Sequence, residues 1–155
     1  MHEDSERSFP DKLRIFQEMC KKAGIRLTHQ RLELFREMAV AKDHPSAEAI
    51  YERIRPKMPT ISLDTVYRTL ATFERHGIIV RMQALGERSR YDSNPSPHHH
   101  LVCIGCKRIQ DFKWPLFDQT RVPAKIKEWG SVNSLHVELR GLCRECLKKR
   151  RKKSR

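Results

Sequence analysis

Four of the five cysteines fall into two Cys-x-x-Cys pairs, Cys103 with Cys106 and Cys143 with Cys146, and 36 residues separate the pairs. Each pair can set two thiolates on one tight turn, and two such turns supply the four soft, tetrahedral donors that zinc prefers. The competing readings, four unrelated buried thiols or a redox pair, do not call for this doubled spacing. Cys20 stands apart, on the apolar side of a predicted helix, where a thiol serves as core filling.

A second set of donors precedes the first cysteine turn: His98, His99 and His100 in a row. On a strand, alternation puts His98 and His100 on one side and His99 on the other. Such a tract can also be a solvated loop, but Asp92 and Asp111 lie nearby in the chain and could close a site. His44 is a further imidazole, held on a breaker between two helices. Nitrogen and carboxylate donors without a thiolate suit Fe²⁺, Mn²⁺ or Zn²⁺.

Helices and strands must position these residues. Asp11 can cap a first helix with Leu13, Phe16, Cys20 and Ala23 on one face, ended by Gly24. Thr28 caps a second, with Leu32, Phe35, Met38 and Ala39 inward, before His44 and Pro45 break the pattern. Ser46 caps a third, interrupted by Pro56 and Pro59. Ser62 caps a fourth, stopped by Gly77, with a buried stripe of Val66, Leu70 and Phe73; its other face carries Asp64, Thr65, Tyr67, Arg68, Thr72 and Arg75. Ile78 to Ala84 and Ser89 to Asp92 then form a hairpin around Gly86. Three helices followed by a hairpin match a winged helix-turn-helix, in which one helix enters the major groove; a plain helical bundle with a basic face is the alternative.

The fold class expected is therefore α+β. Residues 1–92 form the winged-helix domain, 93–97 a proline-bearing hinge, 98–146 a zinc-stabilised α/β domain and 147–155 a basic tail. In the second domain, His99 to Ile104 and Lys107 to Phe112 read as strands, Pro115 to Trp129 as a helix disturbed by Pro123, and Val132 to Arg140 as a third strand. A unit of roughly fifty residues seldom folds without a metal, disulfides or a partner, and zinc clamping its first and last strands would meet that need.

The 155 residues carry 32 Lys and Arg against 19 Asp and Glu, a net charge of +13. Residues 1–92 hold 17 basic and 14 acidic side chains and residues 93–155 hold 15 and 5, so the excess lies in the second half, seven of it from Lys148 to Arg155. A run of this kind usually stays a solvated, disordered tail, yet the whole chain is drawn to polyanions, with nucleic acid the default partner. No stretch approaches a bilayer span, and the N-terminus lacks the pattern of a secretory signal, so the expected compartment is the cytoplasm.

The run from Asp64 to Leu70 (DTVYRTL), the following HGII, the HHHLVCIGC segment and the final CREC resemble the ferric uptake regulator family of metal-dependent transcriptional repressors, from about Asp11 to Cys146. The resemblance implies a winged helix joined to a small dimerisation domain. It assigns Cys103, Cys106, Cys143 and Cys146 to structural Zn²⁺, and His44, Asp92, His98, His100 and Asp111 to a regulatory Fe²⁺ or Mn²⁺. It implies a homodimer on double-stranded DNA, with Tyr67 and Arg68 reading bases and Arg26 approaching the minor groove. A symmetric dimer calls for a palindromic operator, expected to be A·T-rich. Asp at position 111 is similar to the peroxide-sensing branch, in which iron-catalysed oxidation strikes a ligand histidine, here His44 or His98; iron-uptake regulators more often carry Glu there. Pro97 stands where many members have another histidine, so His99 and His136 are given no metal. The rival readings are iron or zinc homeostasis within the family, a metal-dependent hydrolase, and a zinc-stabilised module that binds protein. No His-Glu-x-x-His, nucleophile elbow or phosphate loop supports an enzyme.

Overall fold

The computed structural model describes residues 8–83, 88–94, 96–132 and 135–153. The chain divides into two compact units, Met1–Pro95 and Ser96–Arg155.

The first unit contains α1 (Phe9–Lys22), α2 (His29–Val40), α3 (Ala47–Ile54), α4 (Leu63–Arg75), β1 (Val80–Met82) and β2 (Arg90–Asp92). Thr28, Ser46 and Ser62 cap α2, α3 and α4 as expected, each accepting a hydrogen bond from a backbone N–H in the first turn. The cap of α1 is Ser8, not Asp11. Pro10 occupies the first turn, where its missing N–H costs nothing and its fixed φ favours the helix, so the helix starts ahead of Asp11. Gly24 and Gly77, both at φ +68°, reverse the chain after α1 and α4.

The apolar stripes of the four helices meet in one core. Phe16 stacks on Phe35 with ring centroids 3.9 Å apart and meets Phe73 edge-on at 5.3 Å. Leu34, Ile50, Ile54, Val66 and Leu70 are fully buried around them, and Cys20 lies in the same core. The hairpin is shorter than expected, because Ile78 and Ile79 enter this core before β1 begins. β1 and β2 pair antiparallel with Val80 opposite Asp92. The expected turn, with Ala84 and Gly86, falls outside the described residues.

The second unit contains β3 (His99–Cys103), β4 (Ile109–Phe112), α5 (Pro115–Asp118), a 3₁₀ turn (Ala124–Glu128), β5 (Glu138–Gly141) and α6 (Arg144–Lys153). Its sheet runs β4-β3-β5, with β3 antiparallel to β4 and parallel to β5. The single helix expected from Pro115 to Trp129 is instead four residues of α5 and the separate 3₁₀ turn. Pro123, just before that turn, can neither donate to a preceding helical turn nor tolerate a helical residue before it. The third strand starts at Glu138, not Val132: the Val137 N–H is taken by the His99 ring, while the Val137 carbonyl still accepts from His100 N. Asn133 and Ser134 of that expected strand lie outside the described residues. The basic segment after Cys146 also differs from the expected disordered tail, continuing as α6 to Lys153. Lys and Arg are good helix formers, and positive charge in a last turn complements the helix dipole.

Candidate metal centres and reading face

The two cysteine turns meet at one end of the second unit's sheet. The turn after β3 closes through Lys107, whose N–H donates to the Cys103 carbonyl and whose φ is +62°. Gly105 lies inside the turn, and a Cβ there would stand 3.0 Å from Cys146 Sγ. All four sulfurs lie within 4.8 Å of one another. Cys106 Sγ and Cys143 Sγ are 3.8 Å apart, which matches the edge, about 3.8 Å, of a tetrahedron with Zn–S bonds of about 2.3 Å.

The ionisation of the cluster fits a dication equally well. Backbone N–H groups of Cys143 and Cys106 point at Cys103 Sγ, from 3.3 and 3.5 Å, and they pull the Cys103 thiol down to about 6. The Cys146 thiol, hydrogen-bonded to Cys143 and crowded by the other sulfurs, is pushed up to about 12. Four sulfurs at this spacing cannot all ionise side by side unless a cation offsets their repulsion.

A nitrogen and oxygen set lies at the opposite end of β3. The alternation of the strand turns His98 and His100 to one side, their Nε2 atoms 3.0 Å apart. Asp111 is paired with His100 across β3 and β4, and its carboxylate oxygens stand 3.7 Å from each Nε2. His98 Nδ1 is 2.6 Å from the Ser96 carbonyl. A carbonyl can only accept, so Nδ1 carries a proton, and in the neutral ring it is Nε2, facing His100 and Asp111, whose lone pair an ion could take. Two ligands at right angles, each about 2.1 Å from an ion, would be about 3.0 Å apart. Donor chemistry and spacing both fit a borderline divalent cation.

His99 faces the other way and is 1% exposed. Its Nδ1 accepts from Val137 N at 3.0 Å, and its Nε2 lies 3.0 Å from Asp118 Oδ1. Both ring nitrogens are thereby used in tying α5 and the approach to β5 onto β3. The sequence signalled the orientation of His99 through alternation; nothing in it pointed to Asp118.

In the first unit, His44 and Asp92 are buried, 7% and 5% exposed, and their ligand atoms lie within 4.8 Å of each other. His44 adopts φ +48° on the breaker between α2 and α3. That turn is fastened to β2, where Tyr91 N donates to the Pro45 carbonyl and Arg90 Nη1 to the His44 carbonyl. Asp92, the last residue of β2, accepts from Asn94 N at 2.7 Å.

α4 presents Tyr67, which is 42% exposed. Its hydroxyl donates to Glu48 Oε1 of α3 at 2.7 Å, which ties the ring to α3. The same hydrogen bond keeps the Tyr67 hydroxyl above its ordinary range and the Glu48 carboxyl below its own. Tyr67 and Arg68 line a cleft of ≈ 420 Å³ together with Glu48, Arg81 and Arg88. Arg68 is almost wholly exposed, 3.8 Å from Asp64. Arg26 is exposed in the turn before α2. Glu48, Arg81 and Arg88 were not singled out from the sequence, because their nearness to Tyr67 arises only when α3 and the hairpin pack beside α4.

Residues 22–140 match the ferric uptake regulator family. The chain belongs to that family. The peroxide-responsive repressor PerR of Staphylococcus epidermidis is 35% identical over 126 residues, 81% of this chain and 84% of that one. Its Staphylococcus aureus counterpart is 33% identical, with 81% and 85% covered. Among solved structures, the Helicobacter pylori ferric uptake regulator Fur, described with three functional metal-binding sites, aligns with a TM-score of 0.72 at 25% identity, covering 93% of this chain and 97% of its own. A zinc-bound manganese uptake regulator aligns with a TM-score of 0.63 at 32% identity, covering 83% and 98%. As a member of this family the chain has the family's architecture, a winged helix followed by a dimerisation domain.

Proposed function

We propose that the protein is a metal-dependent transcriptional repressor that binds palindromic, A·T-rich DNA as a homodimer and senses peroxide. The observation that carries this reading is the thiolate-free donor set of the second unit: the facing Nε2 atoms of His98 and His100 with the Asp111 carboxylate beside both. His44 and Asp92 supply the same kind of donor from the first unit, and five residues of chain join Asp92 to His98. In this reading all five hold one regulatory Fe²⁺ or Mn²⁺, and the occupied site favours the form of the dimer that fits its operator. The four cysteines hold structural Zn²⁺.

The residues of this chain have distinct tasks in that reading. Ser96 orients the His98 ring through its carbonyl. Tyr67, braced by Glu48, offers its ring to a thymine methyl, and Arg68 and Arg26 meet base edges or phosphates. Leu101 and Leu139 lie side by side on β3 and β5 and are 37% and 43% exposed, an apolar strip suited to a second copy of the chain. Iron held by these residues would give hydrogen peroxide an electron and take one back as an imidazole oxidises, so that His44 or His98 would gain one oxygen atom while the other leaves as water.

Support for the peroxide branch comes from Asp111 and from the PerR relatives, which are named for that response. The test is operator binding with Mn²⁺ and with Fe²⁺, before and after hydrogen peroxide, followed by mass spectrometry of the peptides holding His44 and His98. Binding should be lost in the iron form alone, with one added oxygen. Equal survival of both forms would leave a metal-responsive repressor without peroxide sensing. Absence of any metal-dependent binding to A·T-rich palindromes would reject the repressor reading.

A further inference from the structure

The second half of α6 is a basic rod without a task in the site described above. Its root is fixed: Cys146 belongs to the sulfur cluster, and Glu145, the only acidic residue of the helix, pairs with Arg108 at 3.2 Å. Beyond that root, residues 147–153 are all exposed. Lys148, Lys149, Arg151, Lys152 and Lys153 have no acidic partner among the described residues.

At about 100° per residue these side chains surround the helix. Lys148 therefore neighbours Arg151 and Lys152, and Lys149 neighbours Lys152 and Lys153, at the spacings where like charges destabilise a helix. A polyanion would relieve that repulsion. The distribution also selects the kind of polyanion. A helix that lies on a membrane needs an apolar face, whereas Leu147 is the one apolar residue after Cys146. A rod charged on all sides, with no apolar face to bury, fits phosphates in water.

We propose that α6 is a second, sequence-independent DNA-contacting element, which meets duplex phosphates through Lys148, Lys149, Arg151, Lys152 and Lys153. The proposal rests on the reading that the chain binds duplex DNA. It adds a distinct surface, carried by the second unit, which raises affinity for any sequence and leaves base discrimination to α4. Each phosphate contact adds about 0.9 to the slope of log K against log salt.

Two Mn²⁺-loaded full-length variants test it. One replaces the five residues together with Gln, which preserves helix propensity; the other ends the chain at Leu147. Binding to a random-sequence duplex is measured from 50 to 200 mM salt, with zinc content as the check that the cysteine end stays folded. Loss of two phosphate contacts per dimer, the least the proposal allows, should make the slope shallower by about 1.8, so that the advantage of the unaltered chain shrinks about 12-fold across that salt range. An unchanged slope in both variants with zinc retained overturns the proposal. A loss confined to an RNA hairpin, or to phosphatidylserine vesicles, overturns it in favour of that partner. If the unaltered chain binds no duplex even at 50 mM salt, the DNA-binding reading itself falls, and this proposal with it.

Discussion

Gly105→Ala probes the cysteine cluster without touching a sulfur. A Cβ built on Gly105 stands 3.0 Å from Cys146 Sγ and 3.2 Å from both Cys146 Cβ and Leu142 Cδ2, whereas ordinary contact begins at 3.4 Å. The sulfur must therefore retreat by a few tenths of an ångström, more than the ~0.2 Å that metal–ligand distances tolerate. Overpacking of this kind costs about 1–3 kcal/mol, which corresponds to about 5- to 150-fold weaker zinc binding. Competition for Zn²⁺ against a chromophoric chelator measures it directly. Gly141→Ala is the matched control, because a Cβ there meets nothing within 4 Å. Equal zinc affinity for the two variants would refute the argument that these sulfurs close around one ion at the spacing observed.

Other consequences follow from the first unit. Phe16→Ala removes the ring stacked on Phe35 and touching Phe73, and it should cost about 3–5 kcal/mol in denaturant unfolding of that unit; a loss below about 1 kcal/mol would mean that the core closes over the gap. Asp43→Asn removes the partner of Arg53, whose guanidinium holds the Asp43 carboxyl below its ordinary value of 3.8. The pair is half-exposed, so the loss near neutral pH should be under about 1 kcal/mol. Because the folded-state value is depressed, that stabilisation is complete above 3.8 and disappears as pH falls through the folded value. Thermal unfolding of the two proteins should therefore converge in acid, and a gap that widened there would contradict the assignment. Ser62→Ala removes the cap of α4 and should cost about 1 kcal/mol in the same measurement.

What could be seen in the residues alone was whatever depends on short-range order. Helix periodicity, the caps Thr28, Ser46 and Ser62, the Gly24 and Gly77 stops, the paired Cys-x-x-Cys turns and the alternation that separates His98 and His100 from His99 are all local. Each follows from backbone geometry over a few positions. Local patterning was insufficient where a distant group competes for a backbone hydrogen bond or where proline interrupts it, as at Val137 and Pro123. It also could not decide the length of α6, because disorder in a charge run is a tendency of solvated chains, whereas this run continues from a turn fixed at Cys146.

Tertiary packing alone decided the pairings between elements. The Tyr67 hydroxyl finds Glu48 because α3 lies beside α4, Asp111 faces His100 through the register of β3 with β4, and Asp118 meets His99 because α5 folds back onto the sheet. Residue types announce which donors exist and over what short spacing they repeat. The angles and separations at which they converge depend on contacts between segments far apart in the chain, since these are set by how side chains fill a shared core.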